Sequence, residues 1–298
     1  KVILSALALA CGTFVFAQNQ SVITQEDATT STSATVTQTG NLNTSDLSQI
    51  NTFERAGVRA TSAAVSQNGK GNASNILQGD IWNNGGIGEG VVIDVNQNGR
   101  RNNSFVKQGG RLNTSDIDQN GDDNVSRMDV QGGYNNTSTV KQSDDDNYSD
   151  IFQSWSSNEV FVTQSGDNAN NGANNSVINQ KVVSSFIDID QIGRRNNSNV
   201  DQFGGGSAEM LSTVVNQKGN DNYSGVLQTG MMNSTDVDQD GNGNGSSVDQ
   251  SGENNSIAVK QNGNGNSSTA TQSGDMNTIS VVQANGNGNY ASSIQEGS

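Results

Sequence analysis

The 298-residue sequence contains no proline and no histidine, and its single cysteine is Cys11. Without histidine or a second cysteine, the usual nucleophile and base pairs of enzymes are missing, so we expect neither catalysis nor a bound cofactor. Aromatic residues make up only 5% of the chain, which leaves no stripe of rings for stacking on sugars or nucleic acid bases. Lysine and arginine number 15 against 30 aspartates and glutamates, and this acidic balance argues against nucleic acid or an anionic membrane as a partner.

Residues 1–17 consist of a basic residue, an apolar run and small residues at Val15 and Ala17. This pattern is typical of a secretory signal peptide cleaved after Ala17, and it predicts an extracellular protein. The run is shorter than a bilayer span, so a permanent membrane helix is the weaker interpretation. Cys11 only loosely resembles a lipoprotein cleavage site, and without it the mature chain has no disulfide.

An internal repeat occupies most of the remaining sequence. Between Gln217 and Gln283, seven glutamines follow one another at intervals of eleven residues. A small apolar residue such as Val215 lies two positions before each, a glycine lies two positions after the first six, and an asparagine lies six positions before all but the first. Such a strict register identifies a repeat architecture.

The spacing within one repeat predicts a strand followed by a tight turn. Asn255, Ile257, Val259 and Gln261 are two residues apart, which places them on one face of a β-strand. Residues 262–265, with the sequence Asn-Gly-Asn-Gly, favour a turn because both residue types tolerate positive φ. Two repeats then form a coil of about 22 residues that stacks on the next coil at one strand spacing.

Stacking places each residue above its equivalent in the neighbouring coil. We therefore predict an all-β fold, a β-solenoid of about 11 two-strand coils with amyloid-like cross-β order. Its interior would hold a valine row and amide ladders, in which each side chain donates to one neighbour and accepts from the other. The absence of proline suits a chain in which nearly every backbone N–H joins a ladder. The predicted ladder glutamines are Gln38, Gln49, Gln67, Gln78, Gln97, Gln108, Gln119, Gln142, Gln153, Gln164, Gln180, Gln191, Gln202, Gln217, Gln228, Gln239, Gln250, Gln261, Gln272 and Gln283. The predicted ladder asparagines are Asn43, Asn113, Asn222, Asn233, Asn244, Asn255, Asn266 and Asn277.

The pattern predicts one repeat domain over residues 33–298. Residues 18–32 are polar and match the repeat only weakly. We interpret them as a flexible N-terminal leader or as an imperfect first strand. Extra residues around 53–59, 82–90, 168–173 and 204–209 follow a ladder glutamine, so we expect them in turns, where insertions are tolerated. Single extra residues before Gln131 and Gln295 predict β-bulges.

Charged residues fall at the outward positions of the strands. One coil apart, Asp118 should meet Lys141, and Asp238 should meet Lys260, whereas Asp94 would lie beside Asp116. Residues 238–244 have the oxygen spacing of a calcium loop, and residues 144–146 form another acidic turn. Aspartate, asparagine and glycine are also ordinary turn residues, and calcium-binding β-rolls have a nine-residue period that this chain lacks. We therefore predict no metal site.

The succession Q-x-G-x2-N-x5-Q, preceded by serine, occurs in Ser33–Gln49 and recurs after Gln217. It closely resembles the curlin repeat of curli fibre subunits, over about 90% of the chain. The resemblance implies an extracellular functional amyloid that is secreted unfolded through an outer-membrane pore and assembles, with a nucleating minor subunit, into adhesive biofilm fibres.

The repeat pattern supports polymerisation independently of the resemblance. A solenoid has two open ends, and the sequence shows no cap at either of them, so we expect head-to-tail growth of a homopolymer. Two alternatives remain open: a monomeric β-solenoid adhesin that binds a surface through its outer face, and a calcium-binding β-roll.

Overall fold

The structure of the protein is a computed structural model, which describes residues 2–4, 18–26, 32–50, 61–79, 90–131, 133–166, 172–204, 209–284 and 286–297. Over these residues the chain consists of 24 β-strands joined by turns, without a helix. It divides into two compact units: unit 1 comprises residues 1–144 and 152–155, and unit 2 comprises residues 145–151 and 156–298.

Apart from β1, which shares a sheet with β2, successive strands of each unit alternate between two sheets. The first twelve are β1 (Val2–Leu4), β2 (Gln20–Glu26), β3 (Ser33–Asn41), β4 (Thr44–Ile50), β5 (Ser62–Lys70), β6 (Ala73–Gly79), β7 (Val92–Arg100), β8 (Asn103–Gln108), β9 (Thr114–Asp122), β10 (Val125–Gln131), β11 (Thr137–Ser143) and β12 (Tyr148–Ser154). The others are β13 (Glu159–Ser165), β14 (Asn175–Lys181), β15 (Phe186–Arg194), β16 (Asn197–Phe203), β17 (Ser212–Asn220), β18 (Tyr223–Thr229), β19 (Ser234–Asp240), β20 (Gly245–Gln250), β21 (Ser256–Asn262), β22 (Ser267–Ser273), β23 (Thr278–Gln283) and β24 (Tyr290–Glu296).

Unit 1 is a β-solenoid built from two parallel sheets. Its odd sheet contains β3, β5, β7, β9 and β11, and its even sheet contains β2, β4, β6, β8 and β10. Strands pair in register, so that Gln38 lies opposite Gln67 and Gln67 opposite Gln97. Parallel in-register pairing follows from the repeat, because each coil returns the chain in the same direction one strand spacing further on.

Unit 2 repeats this arrangement. The odd sheet runs from β13 to β23 and the even sheet from β14 to β24, again parallel and in register. Adjacent coils place Gln217 opposite Gln239 and Gln239 opposite Gln261, a spacing of two eleven-residue repeats. The predicted all-β solenoid of two-strand coils is therefore confirmed.

Alternation of burial along the strands places the core between the two sheets. In β17 the side chains of Thr213, Val215 and Gln217 are buried, whereas those of Val214 and Asn216 face outward. Each unit has an apolar row of this kind, with valine, isoleucine or leucine at nearly every level. Because these side chains pack on one another through stacking, each coil acquires a dry interior that it could not form alone.

The four larger insertions lie between strands. They separate β4 from β5, β6 from β7, β13 from β14 and β16 from β17. The predicted location of the insertions in turns agrees with these bounds, although most of the inserted residues fall outside the described ones.

The two predicted β-bulges are wrong. β24 pairs with β22 without interruption, and Gln295 lies opposite Gln272, so the extra residue belongs to the preceding turn. β10 also pairs with β8 without interruption, but there Val130, and not Gln131, lies opposite Gln108. The extra residue in β10 therefore brings Val130 to the position opposite Gln108, with no bulge between β10 and β8.

Within residues 18–32, β2 forms a regular strand that pairs in parallel with β4, with Gln25 opposite Gln49. Of the two interpretations of this segment, the imperfect first strand describes residues 20–26. The other edge of β2 pairs with β1 in antiparallel orientation, with Ile3 opposite Thr24.

Residues 5–17 lie outside the described ones, so the signal peptide stays a prediction, as does the single domain over residues 33–298. No helix among the described residues has the length and apolar character needed to cross a membrane.

Candidate functional site

The glutamine rows are the main polar feature of the interior. Every predicted ladder glutamine is buried except Gln38, which is half-buried in β3 at one side of unit 1. Gln239 is typical: its Oε1 accepts a hydrogen bond from Gln217 Nε2 at 2.9 Å, and its Nε2 donates to Gln261 Oε1 at 2.8 Å. The glutamines of the two neighbouring coils thus satisfy the acceptor and one donor of the Gln239 amide. Burial of a polar group requires such partners.

The second amide hydrogen links the two sheets of a unit. Gln239 Nε2, in the odd sheet, also donates to the backbone carbonyl of Tyr223 in the even sheet at 2.9 Å. In the even sheet, Gln228 Nε2 donates to the carbonyl of Ser212 at 3.0 Å. Each ladder glutamine of this kind holds its own row together and also holds the two strands of a coil against each other.

The rows have one direction. In each of the following glutamine pairs the donor precedes the acceptor in the chain, at Nε2–Oε1 distances of 2.7 to 3.3 Å. In unit 1 the bonds run Gln38–Gln67–Gln97–Gln119–Gln142 in the odd sheet and Gln25–Gln49–Gln78 in the even sheet. In unit 2 they run Gln164–Gln191–Gln217–Gln239–Gln261–Gln283 and Gln180–Gln202–Gln228–Gln250–Gln272–Gln295.

The asparagine rows differ from the prediction of simple amide ladders. The eight predicted asparagines are all buried, but their side chains mainly bond to backbone. Asn255 Nδ2 donates to the carbonyls of Ser251 and Gly274, at 2.8 and 2.6 Å, while Asn255 Oδ1 accepts the backbone N–H of Asn277 at 2.9 Å. Asn255 therefore clamps its own turn to the next one. Other members of the rows also bond to a neighbouring amide, since Asn222 Nδ2 donates to Asn196 Oδ1 and Asn266 Nδ2 donates to Asn244 Oδ1, each at 3.1 Å.

Where a glycine lies two residues after a ladder glutamine, as Gly219 does after Gln217, the closeness of adjacent turns requires it. Gly219 has a φ of 111°, and a Cβ built there would lie 2.0 Å from the carbonyl oxygen of Gly241 in the next coil. No other residue fits without moving the backbone of one turn.

The family comparison agrees with this repeat chemistry. The model of the curlin associated repeat matches residues 93–121, 212–241, 232–263 and 252–284. These segments, about a third of the chain, match the curlin associated repeat. The matched segments coincide with β7–β9 in unit 1 and β17–β23 in unit 2. No curated protein matches the chain.

One curlin repeat lacks a ladder partner. Gln108 is fully buried, yet neither Nε2 nor Oε1 has a hydrogen-bond partner. On one side it faces Val130, and on the other Gln78, whose Nε2 donates to the carbonyls of Ser62 and Val91 instead. Val130 offers no amide on one side, and Gln78 donates elsewhere on the other, so a buried amide is left without partners at a cost in stability.

Sequence reasoning missed a second amide and carboxylate row, which lies in the turns of the curlin repeats. Asn242 Oδ1 accepts the backbone N–H of Asn220 at 2.9 Å, and Asn264 Oδ1 accepts that of Asn242 at 2.9 Å. Asp122 Oδ1 does the same for Arg100 in unit 1 at 2.8 Å. The sequence does show a recurrent asparagine or aspartate three residues after a ladder glutamine. Because these residue types are common in turns, the pattern did not by itself indicate a hydrogen-bonded row.

Arginine–aspartate pairs across neighbouring turns were also missed. Arg100 Nη2 lies 2.5 Å from Asp122 Oδ2, and Arg195 Nε lies 2.5 Å from Asp221 Oδ1. The hydrogen bond from Arg195 lowers the pKa of Asp221. Solvent screens these exposed pairs, so they contribute little to stability.

The outward pairs follow the predicted strand register. Lys260 Nζ lies 3.3 Å from Asp238 Oδ2, and Asp118 lies opposite Lys141. Asp94 also lies opposite Asp116, as the repeat register predicts, although two like charges repel each other there. Burial raises the pKa of Asp116, and the charges of Asp94 and Asp118 raise it further.

The oxygens of residues 238–244 are committed to separate partners. Asp238 pairs with Lys260, Asn242 Oδ1 accepts the N–H of Asn220, and Asn244 Oδ1 accepts the N–H of Asn266 inside the core. Among the described residues, three or more cysteine or acidic side chains never converge as a metal site requires. The structure thus does not bring the calcium-like spacing together as one site.

Proposed function

We propose that this curlin-repeat protein is a secreted structural subunit of curli-type extracellular amyloid fibres, and not an enzyme. The repeats and the β-solenoid support a structural role. Secretion through an outer-membrane pore, nucleation by a minor subunit, adhesion and a place in a biofilm matrix are further parts of the proposal.

The observation that carries the proposal is the common direction of the glutamine rows. In the odd row of unit 1, Gln38 donates to Gln67, and no described glutamine donates to Gln38. In the odd row of unit 2, Gln283 accepts from Gln261 and donates one hydrogen to the carbonyl of Ser267. One row thus offers an acceptor and the other a donor, which is the complementarity that head-to-tail stacking of two copies needs.

The strands at the sheet edges support the same head-to-tail contact between two copies. β3, β23 and β24 each end a sheet in the described part of the chain, and a second copy could place its β2 on β24 and its β3 on β23. β1 pairs with the other edge of β2. Because β1 lies within the predicted signal peptide, cleavage after Ala17 would open that edge for assembly.

Fibre diffraction of the mature chain, residues 18–298, tests the proposal. Growing fibrils with reflections near about 4.7 and 10 Å would support stacking of coils between molecules. A folded β-rich monomer that never polymerises would refute it and favour the monomeric adhesin.

Replacement of single glutamines tests the role of the outer coils. Leucine at Gln38 or Gln283 should lengthen the lag of polymerisation more than leucine at Gln153, which lies far from either end of the sequence repeat and bonds to Ser138 Oγ and to the Thr137 carbonyl. Thioflavin fluorescence at equal protein concentration measures the lag. Equal lag times for all three variants would contradict assembly through the outer coils.

A further inference from the structure

The methionines of this chain are concentrated on one set of turns. The sequence contains five: Met128 lies in the core of unit 1 with no exposed surface, and the other four lie in unit 2. Met210, Met231, Met232 and Met276 all fall in turns that lead from an even strand to the following odd strand. We call these four residues the methionine edge.

Three of the four occupy positions that are unfavourable for a side chain. Met210, Met232 and Met276 have φ values of 47°, 54° and 56°, in the left-handed region that favours glycine. In the opposite turns of unit 2, Gly243 and Gly265 take this conformation, with φ of 65° and 66°. A methionine there costs conformational energy.

These side chains also contribute little to the core. Met276 is 79% exposed, Met210 49% and Met232 40%. The ladder bonds of unit 2 involve glutamine, asparagine, threonine and backbone atoms, and its buried side chains include no methionine or cysteine among the described residues. The sulfur chemistry of unit 2 is therefore confined to its surface.

We propose that the methionine edge is a site of reversible oxidation by peroxides. The thioether sulfur attacks one peroxide oxygen, the O–O bond breaks, and the products are methionine sulfoxide and water. Two equivalents of a thiol reductant return the thioether, with release of a disulfide and water, as methionine sulfoxide reductases do. Oxidation converts flexible apolar side chains into polar ones.

The geometry separates this modification from the fold. Sulfoxide formation on a core methionine disrupts packing, but the thioethers of Met210, Met232 and Met276 project from turns into solvent. Oxidation should thus change the polarity of one edge and leave the glutamine rows intact. This proposal concerns the folded chain and does not depend on fibre assembly.

The test is peptide mass mapping of the folded full chain during treatment with hydrogen peroxide. We expect Met276 to oxidise first, followed by Met210 and Met232, and each at least about tenfold faster than Met128, which reacts only after local opening. The same treatment in denaturant provides the control, since all five methionines should then react at similar rates.

A second measurement follows the fold in the same samples. The circular dichroism signal and the guanidinium midpoint should stay unchanged until the methionine edge is fully oxidised, and a thiol-dependent sulfoxide reductase should restore the original mass. Oxidation of Met128 at the rate of the edge would overturn the proposal. Loss of β-structure in step with edge oxidation would overturn it as well.

Discussion

The same substitution should have opposite effects at two glutamines of unit 1. Gln97 is a complete ladder member: it accepts from Gln67 at 2.8 Å, and it donates to Gln119 at 2.8 Å and to the carbonyl of Ala73 at 2.9 Å. Gln108 is equally buried but has no partner for either amide atom. Leucine at either site keeps the volume similar and removes the amide.

The expected magnitudes follow from the groups left behind. Gln97→Leu leaves one amide hydrogen of Gln67 and the Oε1 of Gln119 unpaired in the core. At roughly 1–3 kcal/mol for each buried unpaired group, this should lower the free energy of unfolding by about 2–6 kcal/mol. Gln108→Leu removes a buried polar group that has no bond to lose, so it should be neutral or stabilise by up to about 2 kcal/mol.

Guanidinium denaturation followed by circular dichroism measures both variants, at a protein concentration below that of assembly. The wild-type chain and Gln97→Asn, which keeps an amide but shortens it, serve as references. If Gln108→Leu destabilised the chain as much as Gln97→Leu, the reasoning would be refuted, because burial alone and not ladder bonding would then explain the glutamine rows.

Three further changes test other parts of the structure. Val130→Gln should raise the denaturation midpoint by giving Gln108 an amide partner, and an unchanged or lower midpoint would contradict this register. Gly219→Ala should destabilise unit 2 by several kcal/mol, since its Cβ would overlap the carbonyl of the next turn; a midpoint near wild type would show that the turns are not in close contact. Asp116 has a folded pKa above its unfolded value, so the folded state binds its proton more readily, and stability should rise as the pH falls through the raised pKa. Asp116→Asn should flatten that part of the stability–pH curve, and an unchanged slope would argue against it.

Much of the candidate site could be predicted because the repeat is redundant. One misread repeat does not alter the row, so the buried positions of Gln217 to Gln283 followed from spacing alone. The outward pair of Asp238 and Lys260 also followed, since it depends only on the 22-residue step between coils.

Other features could not be predicted, because they depend on reach and on local register. The side chain of Asn255 bonds to turn carbonyls, which a spacing argument cannot distinguish from the next asparagine amide. On one side, the break at Gln108 arises because β10 pairs with β8 without interruption and brings Val130 opposite Gln108. The bulge expected there would have kept Gln131 in place, and only the packing of β10 on β8 decides between the two.

Residue spacing alone predicts the fold class, the length of a coil and which residues face inward. A period of two within a strand and of eleven between strands leaves one way to stack the coils with an apolar interior. The tertiary structure decided which atoms bond: the common direction of the glutamine rows, the clamping role of asparagine and the orphan amide of Gln108. Whether two groups in neighbouring coils form a hydrogen bond depends on their orientation and on differences of a few tenths of an ångström in their distance. Residue spacing carries no information at that scale.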